Sequence, residues 1–180
     1  MKKKQTLAKG TVTSKAASIE VVIETPKGSR NKFKYDPMTH RFKLSKVLPE
    51  GMVFPQDFGF VPDTKGPDGD PIDVLVLVDE PTFPGCSLEC RVIGVLEAEQ
   101  KAMDQQMKRN DRLVAVAERS ILYAEISHLR DVNRTLLKQI EAFFVNYQKV
   151  RDVSFTILGH GGPERALKSL REAAVNKTAR

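Results

Sequence analysis

The chain has 180 residues, of which 41% are hydrophobic and 29% are charged, and its formal net charge is +6. This size and composition indicate one globular domain that buries a core without disulfides or a structural metal. No uninterrupted apolar run of about 18 residues occurs, so we expect no membrane span.

The first predicted elements are a basic arm, a strand and a hairpin. Residues 1–18 are polar, small and basic, and we expect a flexible arm there. Alternating apolar residues over 19–24 predict a strand that ends at Pro26. Extended segments at 32–35 and 41–44 enclose turn residues, which is typical of a β-hairpin.

The most distinctive segment is acidic and precedes an apolar run at 74–78 that predicts a buried strand. Asp68, Asp70 and Asp73 fall within six residues, and a Gly and a Pro keep the backbone non-helical. Carboxylates this close raise each other's pKa unless a cation lies among them. Mg²⁺ takes such oxygen ligands, whereas an acidic surface turn is the plainer alternative. The third aspartate, at the start of the strand, favours the cation site.

The rest of the chain predicts more strands and then two helices. Short segments with turn signals between them predict further strands at 54–61, 87–96, 113–117 and 154–158. One amphipathic helix should begin near Asn133, and a second at Gly162 and Pro163. This order of elements predicts an α+β fold built on a small β-barrel. We expect a single domain over 19–176 and a tail at 177–180.

Cysteine usage and the start of the chain bear on the compartment. Cys86 and Cys90 lie four residues apart on a predicted strand, so their Cα atoms would be about 13 Å apart, too far for a disulfide. The basic start lacks the apolar segment of a secretory signal. We therefore expect free thiols and a cytoplasmic protein.

The acidic segment also carries a family resemblance. Asp-Gly-Asp-Pro-Ile-Asp-Val, at 68–74, resembles the signature of the soluble family I inorganic pyrophosphatases. Other blocks resemble the family and stand in its order, at 21–26, 54–62, 84–86, 93–96, 113–116 and 143–147. The likeness covers residues 19–175. It implies a five-stranded OB-like barrel with helices packed outside. It also implies hydrolysis of pyrophosphate to two phosphates by a metal-activated water, with Mg²⁺ as the ion and Mn²⁺ as the alternative.

The resemblance implies a role for eight residues. Asp70 is implied to assist proton removal from the attacking water. The implied metal-binding residues are Asp68, Asp73 and Glu24. The implied substrate-binding residues are Lys32, Lys46, Arg112 and Tyr147.

Several positions depart from the family's pattern. Lys34 stands where the family has a metal-side acid, and Phe58 where it has a tyrosine. Gln100 and Asn110 fall on two metal carboxylates, although the longer segment 97–112 leaves the register open. Substitute acids in that segment would be Glu99, Asp104 or Asp111. These losses keep two alternatives open. One is a non-enzymatic relative that binds a phosphorylated ligand or an active paralogue, and the other is a phosphatase for another polyphosphate or nucleotide.

The resemblance and the composition also suggest partners. Bacterial members of the family form hexamers, which implies a homo-oligomer. The basic balance permits nucleic-acid binding, but the chain has no Trp and only three Tyr for stacking bases. The acidic segment would also repel a phosphate backbone. We therefore expect pyrophosphate as the partner and neither nucleic acid nor membrane.

Overall fold

The computed structural model describes residues 18–67, 69–103 and 106–174. These residues form nine strands, a single 3-10 turn and two α-helices. The strands are β1 (Ser18–Thr25), β2 (Asn31–Asp36), β3 (Arg41–Val47), β4 (Asp57–Phe60), β5 (Asp73–Leu77), β6 (Ser87–Ala102), β7 (Lys108–Arg109), β8 (Arg112–Ala117) and β9 (Val153–Gly161). The helices are α1 (Arg134–Lys149) and α2 (Pro163–Ala173).

Five strands close into a barrel. β1 pairs with β4, β4 with β5, β5 with β8 and β8 with β6, and β6 returns to pair with β1. The β5–β8 pair is parallel, and the other four pairs are antiparallel. The predicted α+β fold with a five-stranded barrel and outer helices is therefore confirmed.

Strand β6 is longer than the sequence indicated. Its first part belongs to the barrel, and its second part, from Val95 to Ala102, pairs with β9. Residues 99 and 100 also pair with the two-residue β7, which the sequence did not reveal. The predicted strand ended at Leu96 because polar residues follow it. Of these, Gln100 lines a cavity and Lys101 is exposed to solvent.

The apolar run of β5 is continuous because both of its faces are buried. Leu75 and Leu77 pack in a core cluster with Ile140 and Phe144 of α1. The alternate residues of β5, Val74 and Val76, pack in a second cluster with Ala166 and Leu170 of α2. The acidic segment (residues 68–73) therefore leads into a strand that is buried from Val74 to Leu77, which fixes the position of Asp73.

The two helices begin where the sequence predicted. Asn133 caps α1, and its side chain accepts hydrogen bonds from the backbone N–H groups of Thr135 and Leu136. Such a cap typically contributes about 1 kcal/mol to helix stability. Pro163 is the first residue of α2, where its missing N–H leaves no hydrogen bond unmade. Neither described helix is long and apolar enough to cross a membrane.

Strands β2 and β3 form a separate two-stranded hairpin beside the barrel. The ring of Tyr35 fixes it, with centroid distances of 5.2 Å to Phe42 and 5.9 Å to Phe60. The hairpin confirms the prediction for 32–44. The proposed domain limits at 19 and 176, with an arm and a tail outside them, stay predictions because residues 1–17 and 175–180 lie outside the described part of the chain.

Candidate active site

One cavity of about 720 Å³ lies between the hairpin, the acidic segment and the second half of β6. Six of the eight residues singled out from the sequence line it, namely Glu24, Lys32, Lys46, Asp70, Asp73 and Arg112. They come from β1, β2, β3, β5, β8 and the acidic segment, and the closed barrel brings these elements together. Asp68 lies outside the described residues.

Tyr147, the eighth residue, does not line this cavity. Its side chain is buried, and its ring stacks on Phe143 at 5.7 Å between centroids. Lys32 lies over the same ring, with its Nζ 5.6 Å from the centroid. Among the described residues the buried Tyr147 hydroxyl has no hydrogen-bond partner. The proposed binding of phosphate by this hydroxyl therefore stays a prediction.

Asp73 and Arg112 form a close ion pair at the floor of the cavity. The distance between Arg112 Nη1 and Asp73 Oδ2 is 2.6 Å, and the side chains are 7% and 24% exposed. The Arg112 guanidinium also lies 5.8–5.9 Å from the ring centroids of Phe58, Phe144 and Phe155. A smaller cavity of about 360 Å³ is lined by the same two residues, so Arg112 stands between the two cavities. The aromatic surroundings hold this guanidinium in place.

Asp70 is paired in a different way. Lys34 Nζ donates to both of its carboxylate oxygens, at 3.1 and 3.0 Å. Both side chains are about half exposed, at 52% for Lys34 and 59% for Asp70. Partial burial opposes the charge of Lys34, but the hydrogen bond to Asp70 and nearby carboxylates outweigh it and raise the pKa of Lys34. Lys34 therefore remains an ammonium at neutral pH.

Burial acts on the two deeper groups of the cavity. It raises the pKa of Glu24, although the carboxylate accepts a hydrogen bond from the backbone N–H of Tyr35 at 2.7 Å. Burial also lowers the pKa of Lys32, against the attraction of Asp73. For each group the low polarity of its surroundings disfavours the charged form. A cation that enters the cavity would oppose the raised pKa of Glu24, and an anion would oppose the lowered pKa of Lys32.

The structure fixes the register of segment 97–112. Leu96 pairs with Arg112, and Gln100 and Asn110 both line the large cavity. Gln148 Nε2 donates to Gln100 Oε1 at 3.3 Å, and Arg112 donates to Asn110 Oδ1. The cavity therefore presents amides at the two positions where the family resemblance implies carboxylates.

The two described acids that were considered as substitutes, Glu99 and Asp111, do not restore these charges. Asp111 accepts hydrogen bonds from Ala98 N and Arg109 Nε, and it lines the smaller cavity. Glu99 is not among the residues that line the large cavity. Asp104 lies outside the described residues.

The donor set decides which metal the cavity fits. Within the described ranges, no group of three or more His, Cys, Asp or Glu side chains is placed to hold a metal ion by itself. Mg²⁺ commonly needs only one or two carboxylates, because waters and substrate phosphates complete its shell. Glu24 and Asp73 line one cavity and supply such oxygens. These residues therefore fit a Mg²⁺ ion that is held partly by a phosphate ligand.

Comparison with known proteins agrees with this geometry. The family model described as inorganic pyrophosphatase matches residues 21–177. The chain belongs to the inorganic pyrophosphatase family.

Individual relatives cover most of the chain. It is 40% identical over 153 residues to the inorganic pyrophosphatase of Methanosarcina acetivorans, which covers 85% of this chain and 88% of that protein. It is 39% identical over 145 residues to that of Nostoc sp., at 81% and 83% coverage. The crystal structure of inorganic pyrophosphatase from Thermus thermophilus superposes with a TM-score of 0.80 at 31% identity and covers 93% of this chain and 94% of that one.

Other cavity residues were not singled out from the sequence as binding residues. Arg151 lines the cavity just after α1, where its Nη1 donates to Gln148 Oε1 at 2.7 Å. Lys108 lines it from β7. Neither lies in a periodic pattern or in a block that resembles the pyrophosphatase family, so nothing in the sequence distinguished them from surface cations. Together with them, six Lys or Arg and four carboxylates line the described part of the cavity.

Proposed function

We propose that this protein hydrolyses inorganic pyrophosphate to two phosphates, as the family's name indicates, with Mg²⁺ as cofactor and Mn²⁺ as the alternative. The observation that carries the proposal is that the fold brings distant residues together. Six residues from six separate parts of the chain meet in one cavity, and they include both cations and carboxylates. Pyrophosphate carries several negative charges, so its hydrolysis needs both.

The cations of the cavity bind the substrate in this proposal. Lys32 and Lys46 reach it from the hairpin, and Arg112 reaches it from the floor. The low polarity that disfavours the Lys32 ammonium strengthens its attraction to a phosphate. Tyr147 would donate its hydroxyl, which has no partner among the described residues, to a phosphate oxygen.

Asp70 is the proposed general base. Its carboxylate is 59% exposed on the cavity wall, where a water molecule can reach it. The water oxygen bonds to one phosphorus while its proton passes to Asp70. The bond from that phosphorus to the bridging oxygen breaks, and the second phosphate leaves with the bridging oxygen.

Asp73 and Glu24, with Asp68, are the proposed metal-binding residues. Mg²⁺ bound there would polarise the attacking water and offset phosphate charge. Asp73 is already oriented by Arg112 at 2.6 Å, and Glu24 by the Tyr35 backbone N–H. Both carboxylates are therefore held in fixed positions, and an ion that binds Asp73 would compete with Arg112 for one of its oxygens.

The alternative functions lack a specific observation in their favour. A non-enzymatic relative would keep the cations and have no need of a base, yet Asp70 and Asp73 both line the cavity here. We also infer that the protein works in the cytoplasm as a homo-oligomer, without nucleic acid or membrane partners. Its two cysteines are free, and burial raises the pKa of Cys90 to about 12, which suits a reducing compartment.

The decisive experiment is phosphate release from pyrophosphate with Mg²⁺ and then Mn²⁺. Asp70→Asn should lower the rate at least about 100-fold, because it removes the base. Asp152→Asn is the matched control, since this exposed residue has a φ of 56°, which asparagine tolerates, and does not line the cavity. Its rate should equal that of the wild type.

Two results would contradict the proposal. One is the absence of phosphate release by the folded wild-type protein with either ion. The other is an equal loss of activity in both variants, which would separate Asp70 from the chemistry.

A further inference from the structure

The described lining of the large cavity contains more cations than carboxylates. Six Lys or Arg side chains face four carboxylates there. Three of the four carboxylates are Asp73, Asp70 and Glu24, whose contacts are given above. Arg112 pairs with Asp73, Lys34 pairs with Asp70, and a backbone N–H donates to Glu24. The protein therefore supplies cationic charge to this cavity without a metal ion.

Lys34 has more freedom to move than Lys32 and Arg112, the two deeper cations of the cavity. Arg112 is buried among aromatic rings, and Lys32 lies over the rings of Phe58 and Tyr147. Lys34 is 52% exposed and lies at the end of a flexible chain on the hairpin. Two of its three N–H donors meet the oxygens of Asp70, which leaves one donor for another acceptor in the same cavity.

The two amide side chains that line the cavity support the same conclusion. Gln100 and Asn110 face it with neutral amides that are held by Gln148 and Arg112. These amides add no negative charge that would attract further divalent ions. A substrate with several negative charges must then be neutralised largely by side chains.

We propose that Lys34 is a resident counter-cation of this site, which binds pyrophosphate before any divalent metal ion is present. The inference rests on the proposed function and deepens it. Lys34 holds Asp70 in the empty site and donates to a phosphate oxygen when the anion enters. The Lys34 ammonium also interacts with the carboxylates of Glu24 and Asp73 and would repel a metal ion held there, so the substrate-free protein binds such ions weakly.

The test is calorimetric titration of the full chain with pyrophosphate in a chelator, without divalent ions. The wild type should bind, and Lys34→Gln should bind at least about tenfold more weakly, because it loses a charge-assisted hydrogen bond. Lys43→Gln is the matched control. Lys43 lies opposite Lys34 in the same hairpin and also pairs with an aspartate, Asp36, but it does not line the cavity. The Lys43→Gln variant should bind pyrophosphate with a Kd within about twofold of the wild-type value.

A second readout uses Mn²⁺ without substrate. Lys34→Gln should bind Mn²⁺ severalfold more tightly than the wild type, since the ammonium that repels an ion at Glu24 and Asp73 is gone. A merely structural role for Lys34 would instead weaken both ligands together and lower the melting temperature.

The outcomes separate the two proposals. If the wild type releases phosphate with Mg²⁺ but does not bind pyrophosphate in chelator, the role of Lys34 is refuted and the hydrolytic function stands. If metal-free binding depends on Lys34 while no phosphate is released, the role of Lys34 stands and the hydrolytic function is refuted. Equal metal-free binding by wild type and Lys34→Gln also refutes the role.

Discussion

Replacing Arg112 with methionine should destabilise the metal-free protein. The change keeps much of the side-chain stem but removes the charge that lies 2.6 Å from Asp73. Removing one partner of a fully buried ion pair typically costs about 3–5 kcal/mol, because the other charge stays buried. Asp73 is 24% exposed, so water compensates in part and we expect a loss of about 2 kcal/mol. For a chain of this size that lowers the melting temperature by about 4–8 °C.

A double-mutant cycle isolates the ion pair. Urea unfolding in chelator is measured for the wild type, Arg112→Met, Asp73→Asn and the double variant. If the loss comes from an uncompensated carboxylate, adding Asp73→Asn to Arg112→Met should recover at least about 1 kcal/mol. Effects that add within about 0.5 kcal/mol would refute the reasoning, because they would assign the loss to packing against the aromatic rings.

Two further variants test the electrostatics of the cavity. Between pH 4.5 and the raised pKa of Glu24, the folded state holds a proton that the unfolded state has released, so stability falls as pH rises. Glu24→Gln should remove this fall in urea unfolding of the metal-free protein, and parallel pH curves would contradict the assignment. Tyr147→Phe should stabilise the metal-free protein by about 1 kcal/mol in thermal unfolding, because it deletes a buried hydroxyl without a partner among the described residues. The control is Tyr35→Phe, because the hydroxyl of Tyr35 has a hydrogen-bond partner in His40 Nδ1 at 3.0 Å. This variant should not be more stable than the wild type.

Local signals in the sequence were sufficient for most elements and for the location of the site. The cap at Asn133 and the apolar run of β5 each act through near neighbours in the chain, and both appear where predicted. The strand predicted over 54–61 was too long. The strand begins only at Asp57, whose carboxylate accepts hydrogen bonds from the backbone N–H groups of Lys27 and Thr82. Neither partner could be inferred from the strand's own residues.

The pairing of charges in the cavity could not be predicted. Lys34 meets Asp70 only because Tyr35 stacks on Phe60 and holds the hairpin beside the barrel. Arg151 reaches the cavity only because of the position of the end of α1. Both features depend on segments that are distant in the chain, and no periodicity in a single sequence reports such proximity.

The parallel pairing of β5 with β8 has a consequence for the order of folding. Strands β6 and β7 lie between these two strands in the chain, so they must be synthesised before the pair can form. Until then Asp73 has no Arg112 beside it, and a nascent chain carries the acidic segment without this neutralising partner. Non-local pairings of this kind slow folding. The barrel and the Asp73–Arg112 pair can therefore be completed only after β8 has left the ribosome.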